Sequence, residues 1–250
     1  MFWEQRQGPF KTIEIAFETR TKEDLEKLIK QYDRVQFLTH TSLDVPSSMA
    51  LRHKKTPLIH VDGTTEEILK RCRDTVRNEI RRTQRLETFR ITFHEQSPAE
   101  AIALYTDFER SQHRAPFPKS YLQRFQCVLA WDSGTLLSGI YFFESNQVLR
   151  VFAIFSARMQ ARSEGETEEY KLIGYASKRL VYELCLFAKE HGNRVVDLAG
   201  INLVDADRAS IARFKSGFGA EIGDEYRYTY VSPLFRFVVK LRAFWIRLRV

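Results

Sequence analysis

Apolar residues fall into two rhythms along this chain, and the switches between them predict its elements. From Thr12 to Glu18 they alternate as Ile13, Ile15 and Phe17, the period of a strand with one buried face. From Glu23 to Tyr32 the spacing lengthens to Leu25, Leu28, Ile29 and Tyr32, one face of a helix. Val35 to Leu38 reads as a short strand, and Thr41 to Pro57 dissolves into Ser, Pro, Arg and Lys, which predicts a surface loop. After a strand at Pro57 to Val61, Thr64 and Glu67 form a capping box. The helix it opens has Leu69, Cys72, Val76, Ile80 and Thr83 on one face. Thr88 to His94 alternates again, and Ser97-Pro98-Ala99-Glu100 reads as a second capping box before a helix burying Ala101, Leu104, Tyr105 and Phe108. Lys119 to Phe125 is a further short helix.

Cys127 to Trp131, Thr135 to Phe143 and Val148 to Phe155 are joined by turns at Asp132-Ser133-Gly134 and Glu144 to Gln147, an antiparallel meander. Met159 to Glu169, charged and glycine-containing, reads as a mobile loop, and Lys171 to Glu190 as the longest helix, closed by His191-Gly192. Arg194 to Ala199 is a valine-rich buried strand. A polar loop, Gly200 to Asp207, leads into a short helix that carries Lys215 near its end and closes at Gly217. The last strand, Tyr226 to Val231, sets Tyr226, Tyr228 and Tyr230 on one face. The fold class is therefore mixed α/β (α+β), with a mostly antiparallel central sheet flanked by helices.

Composition bounds the partners. With 44% hydrophobic and 28% charged residues the chain can build a sizeable core, and 39 basic against 32 acidic residues leave a net charge of +7. That excess favours anionic partners: phosphorylated substrates, nucleic acid or an acidic membrane surface. Three cysteines, Cys72, Cys127 and Cys185, sit in apolar patterns without metal-ligand spacing, which predicts structural thiols in a reducing compartment and no metal. Met1 to Phe10 is polar, no apolar run is long enough for a span, and the expected location is cytoplasmic.

Three basic features follow. Arg77, Arg81 and Arg85 form a ladder at four-residue spacing beside Arg73 and Arg82, either a solvated face or a phosphate-contact surface, with Arg77 and Arg81 as the candidates. His113 and Arg114 sit in a proline-flanked break, candidates for substrate contact together with Tyr228 of the last strand. In the tail from Pro233 to Val250, Leu234, Phe237, Val238, Leu241, Phe244, Trp245 and Leu248 share one arc, with Arg236, Lys240 and Arg247 across from it. This is the pattern of an interfacial helix, or of a terminal helix docked on its own domain or a dimer partner.

The runs RNEIRRTQR (Arg77 to Arg85), DLAGI (Asp197 to Ile201) and SIARFKSGFGAE (Ser210 to Glu221) together resemble the FemAB family. These are acyl and aminoacyl transferases on the Gcn5-related N-acetyltransferase (GNAT) fold. SQHRAPFPKSYLQRF is similar to the family's arginine-proline loop before the central hairpin, and the resemblance covers roughly Leu58 to Pro233. It implies a GNAT-like domain over 58–232, an N-terminal extension over 1–57 as a reduced remnant of a second such domain, and a basic amphipathic helix over 233–250. Fifty-seven residues are too few for a full second copy, and the coiled-coil arm by which some members grip tRNA is absent.

The resemblance also implies transfer of an acyl or aminoacyl group from acyl-CoA or aminoacyl-tRNA to an amine of an amino sugar, amino acid or cell-envelope precursor. No tightly bound cofactor is implied. It carries over Lys215 and Asp197 as catalytic residues, with Phe214 beside the donor. Lys171, Gly174 and Ala176 match the start of the helix that cradles pyrophosphate in the acyl-CoA version of the fold. Asp197, Glu221 and a last-strand tyrosine are the candidate general bases. Two other readings stay open: an RNA-binding module working through the arginine ladder, and a degenerate GNAT scaffold held peripherally at the inner membrane face by 234–250.

Overall fold

The computed structural model describes residues 1–158, 168–201 and 209–247. These divide into two compact units, Met1–Thr56 with Gly223–Val250, and Pro57–Ile222. In this division the segment from Gly223 onward falls with the first 56 residues. Strand pairing is the reason: the last strand, β10 in chain order (Glu221–Val231), runs antiparallel to β3 (Arg34–Thr39), with Tyr228 opposite Phe37.

In this first unit β1 (Phe2–Gln7) pairs antiparallel with β2 (Phe10–Ala16), and β2 pairs parallel with β3. The crossover between β2 and β3 is helix α1 (Lys22–Gln31), whose Thr21 and Asp24 form a capping box. Ile13, Ile15, Leu25, Val35, Phe37, Met49 and Tyr228 make its core.

The second unit holds a sheet in the order β4-β9-β8-β7-β6-β5, built from β4 (Ala50–His60), β5 (Phe89–His94), β6 (Gln126–Asp132), β7 (Thr135–Ser145), β8 (Val148–Ser156) and β9 (Val195–Asp197). All neighbours are antiparallel except β8 and β9, which run parallel. The two hairpins turn on residues with positive φ, Ser133 and Gly134, then Asn146 and Gln147, the backbone signs of the turns that match strand twist. Helix α6 (Glu168–Glu190) packs on β6 to β9, with α2 (Thr65–Arg71) and α3 (Asp74–Gln84) against it. Helix α4 (Ala99–Ser111) lies on β7 and β8, followed by the short α5 (Lys119–Leu122). Ile140 and Phe142 point into the core under α6, while Tyr141 between them meets Tyr105 of α4. Helices thus cover both faces of this sheet.

Four departures from the pattern have physical causes. The single helix expected after Thr64 is two, because Cys72 and Arg73 are extended where α7 (Ala209–Ser216) and its sequel press on them. The Arg73 N–H donates to the Gly217 carbonyl, and a Cβ at Gly219 would lie 2.5 Å from the Arg71 carbonyl oxygen. Ser97 does not cap α4; its hydroxyl donates to Leu122 O, and Pro98 is the N-cap. Strand β4 begins at Ala50, inside the expected loop, with polar exposed residues that show no alternation. Strand β1 likewise escaped the pattern, since its residues are mostly polar. The expected mobile loop from Met159 and most of the polar loop from Gly200 lie outside the described residues.

Candidate functional site

The site begins with a failure of pairing. Strands β8 and β9 run together only from Val148 opposite Val195 to Arg150 opposite Asp197, and there the pairing stops while β8 continues to Ser156. One residue further on, the register of β8 against β7 skips, leaving Phe152 as the extra residue of a bulge. A bulge bends its strand and adds twist, so β8 turns away from β9 just where a partner would be needed. Beyond it, the Phe155 ring sits against its cross-strand partner Gly139 of β7, where a Cβ would come within 2.4 Å of the ring Cζ.

The space between the diverging strands is a cavity of about 680 Å³, within the range of small-molecule sites. Its apolar wall comes from Phe108, Val151 to Phe155, Leu198 and Phe214. Cations stand around it: Arg114, Arg158, Lys171, Lys178 and Lys215, against two acids, Glu79 and Glu109. Glu109 pairs with Arg114 at 2.9 Å, Glu79 pairs with Lys178, and Arg158 lies over the Tyr170 ring at 4.1 Å.

One corner is held by charge. Asp197 is wholly buried and ion-paired with Arg150, itself almost buried. Its other oxygen accepts the Ala199 N–H at 2.9 Å. Ala199 sits at φ 65°, a left-handed conformation that costs a residue with a Cβ about 1–2 kcal/mol. From the far side Lys215, only 9% exposed, donates to the carbonyls of Ala199 at 2.8 Å and Gly200 at 3.3 Å. Arg150, Asp197, the Ala199 backbone and Lys215 thus form one connected chain. It fixes the strand end that borders the cavity and places a lysine on the wall.

Of the residues singled out in the sequence, Lys215, Phe214, Lys171, Gly174 and Arg114 line the cavity. Asp197 lies outside the lining, with its carboxylate bonded to Arg150 and to the Ala199 amide. Ala176 is buried in the core. The phosphate cradle read at Lys171 to Ala176 is also moved, because α6 is already helical at Glu168 and the amides of Gly174 and Ala176 fall inside its hydrogen-bond ladder.

The arginine ladder stands apart from the cavity. Arg77 is tied to Asp74 at 2.5 Å and Arg81 to Glu66 at 3.1 Å. His113 is exposed at φ 54° and outside the lining. Tyr228 belongs to the other unit, buried in its core with the hydroxyl accepting from Leu43 N at 2.9 Å. Glu221 is exposed beside His60. The wall carboxylates Glu79 and Glu109, the bulge residue Phe152, and the cations Arg158 and Lys178 were not singled out. Glu109 could have been, as an acid five residues before Arg114 across the helix end.

Burial pushes the Cys72 thiol up to about 11 and the Cys127 thiol up to about 12, and raises Cys185 as well, which leaves three inert thiols.

No protein-family model matches the chain, and no curated protein matches it. Solved structures do. FemX is similar with a TM-score of 0.61 at 12% identity, over 95% of this chain and 85% of that one. L-PGS from Bacillus licheniformis aligns with a TM-score of 0.52 at 13% identity, over 93% and 81% of the two chains. The C-terminal domain assigned as a lysylphosphatidylglycerol synthetase from Agrobacterium fabrum aligns with a TM-score of 0.52 at 12% identity, over 91% and 80%. At such identities the likeness establishes the fold, which is FemAB-like and GNAT-like as the resemblance implied.

Proposed function

We propose that the Pro57–Ile222 unit is an acyl- or aminoacyltransferase that moves an acyl group from an activated ester or thioester to an amine. The observation that carries this reading is the cavity opened by the divergence of β8 and β9 with Lys215 on its wall. Beyond Arg150 the pairing of β8 with β9 ends among the described residues, so the amides and carbonyls of β8 there can meet the amide groups of an extended donor. Arg158, Lys171 and Lys178 suit the phosphates of acyl-CoA or aminoacyl-tRNA.

In the reaction, the amine lone pair adds to the donor carbonyl, the C–O or C–S bond breaks to expel an alkoxide or thiolate, and the amine's surplus proton passes through a carboxylate to that leaving group. Positioning the two reactants supplies several kcal/mol of the barrier reduction. A donor aimed at the developing oxyanion adds about 3 kcal/mol, and Lys215 is the candidate for it. Glu109 or Glu79 takes the proton. Among the described lining residues there is neither histidine nor cysteine, and direct transfer requires no covalent enzyme intermediate. Amino sugars, amino acids and envelope precursors are the acceptors this reading carries over from the resemblance of the Asp197 to Ile201 and Ser210 to Glu221 runs.

For the nucleic-acid reading, Arg77 and Arg81 of the ladder and Arg82 beside it already hold carboxylate partners, which an incoming phosphate would have to displace. The deciding experiment is a thermal-shift screen with CoA, acyl-CoAs, aminoacyl-tRNA and nucleotide-sugars, in which a ligand of the native state raises the melting temperature. An acyl donor that stabilises the protein, and stabilises a Lys215→Met variant less, supports the assignment. No shift with any donor would refute it.

A further inference from the structure

The C-terminal helix α8 (Pro233–Arg247) touches its own unit through its first turn. Ser232 caps it, its hydroxyl accepting from Phe235 N and donating to Asp33. Phe235 is buried, with its ring 4.9 Å from that of Phe10. The wide apolar arc faces elsewhere. At helical spacing Leu234, Phe237, Val238 and Leu241 fall within about 100° of one another, and they are 64%, 59%, 38% and 41% exposed. Arg236 and Lys240 are exposed on the side away from that arc. From Pro233 to Val250 the sequence has five cations, Arg236, Lys240, Arg242, Arg247 and Arg249, and no acid.

An exposed apolar stripe of this kind needs a cover. A second copy of the helix would bring cations against cations with no carboxylate to offset them. A bilayer rich in anionic lipid offers both an apolar layer and negative headgroups at the distance an amphipathic helix requires. We infer that α8 seats this protein on an anionic lipid surface, with Leu234, Phe237, Val238 and Leu241 in the acyl boundary and Arg236 and Lys240 at the headgroups. This draws on the unit that lacks the cavity and stands independently of the transfer chemistry.

The test is co-sedimentation of the full chain with vesicles of phosphatidylcholine, with and without phosphatidylglycerol, over a salt series. Binding is expected only with phosphatidylglycerol and is expected to weaken as salt rises. Phe237→Asp should lower the partition coefficient at least about tenfold, and Lys240→Gln about fivefold. Both positions are exposed, so the melting temperature should not move, and a vesicle-binding loss cannot then be laid to unfolding. Absence of binding to phosphatidylglycerol vesicles overturns the inference. So does a dimer in solution that Phe237→Asp dissociates, because the stripe would then be covered by a second copy.

Discussion

The arginine face of α3 and the Arg150–Asp197 corner are two ways of using the same charge. On α3, Arg77, Arg81 and Arg82 each hold a carboxylate in contact with water, the partner acids being 54–85% exposed. At the corner, Arg150 and Asp197 are 6% and 0% exposed, and Asp197 also grips a strained backbone. Pairs in water contribute about 0–1 kcal/mol each, because solvent already stabilises the separate ions. A buried pair adds little net stability over an apolar replacement, yet breaking it strands a charge without solvation. The ladder that dominates the sequence should therefore matter little. The inconspicuous pair should decide whether the cavity keeps its shape.

The largest expected effect sharpens that contrast. Asp197→Ala should cost about 3–5 kcal/mol, read from denaturant midpoints, whereas the double change Arg150→Met with Asp197→Leu should recover most of the loss. A double variant as unstable as the single one would mean that the Ala199 amide, not the ion pair, is the principal debtor. Next, Lys215→Met should reduce transfer at least about tenfold and cost about 1–3 kcal/mol by orphaning the Ala199 and Gly200 carbonyls. Full turnover in that variant would take Lys215 out of the chemistry and leave it as a loop tie.

Arg77→Gln and Arg81→Gln should each change stability by under about 1 kcal/mol and leave donor binding unaltered. A loss of donor affinity comparable with that of Lys215→Met would erase the distinction between the two regions. The smallest effect concerns pH. Buried thiols have native values of about 11 at Cys72 and about 12 at Cys127, above the roughly 8.5 of an unfolded thiol. A raised native value means that the folded state holds its proton more tightly. The associated stability is fully present below the unfolded value and drains away as pH climbs toward 11–12. Melting curves across that alkaline window should fall less steeply in Cys72→Ala than in the wild type, after allowance for the cavity.

Much of the fold was legible where local chemistry decides it. The turns at Ser133-Gly134 and Asn146-Gln147, the Thr64 capping box and the valine run at β9 all announce themselves within a few residues. Elements shaped by distant contacts do not. The break at Cys72 depends on Gly217 and Gly219, far along the chain, and β1 is held by its pairing with β2 rather than by an alternating pattern. The site divides in the same way. Lys215 and Phe214 were readable from a contiguous run resembling a family motif. The partnership of Asp197 with Arg150 spans 47 positions, and the bulge at Phe152 exists only against β7, so neither leaves a trace in local spacing.

Gly139 gives the cavity its depth. With Tyr105 and Tyr141 hemming the Phe155 ring at 5.7 and 4.9 Å, the ring can rest where it does only because strand β7 offers bare backbone beneath it. A single methyl there would come within 2.4 Å of the ring and 2.8 Å of Leu129, and because Phe155 lines the cavity, displacing the ring would reshape the chamber. The length of any ligand seated there would thus be gauged by a glycine that is not itself part of the lining.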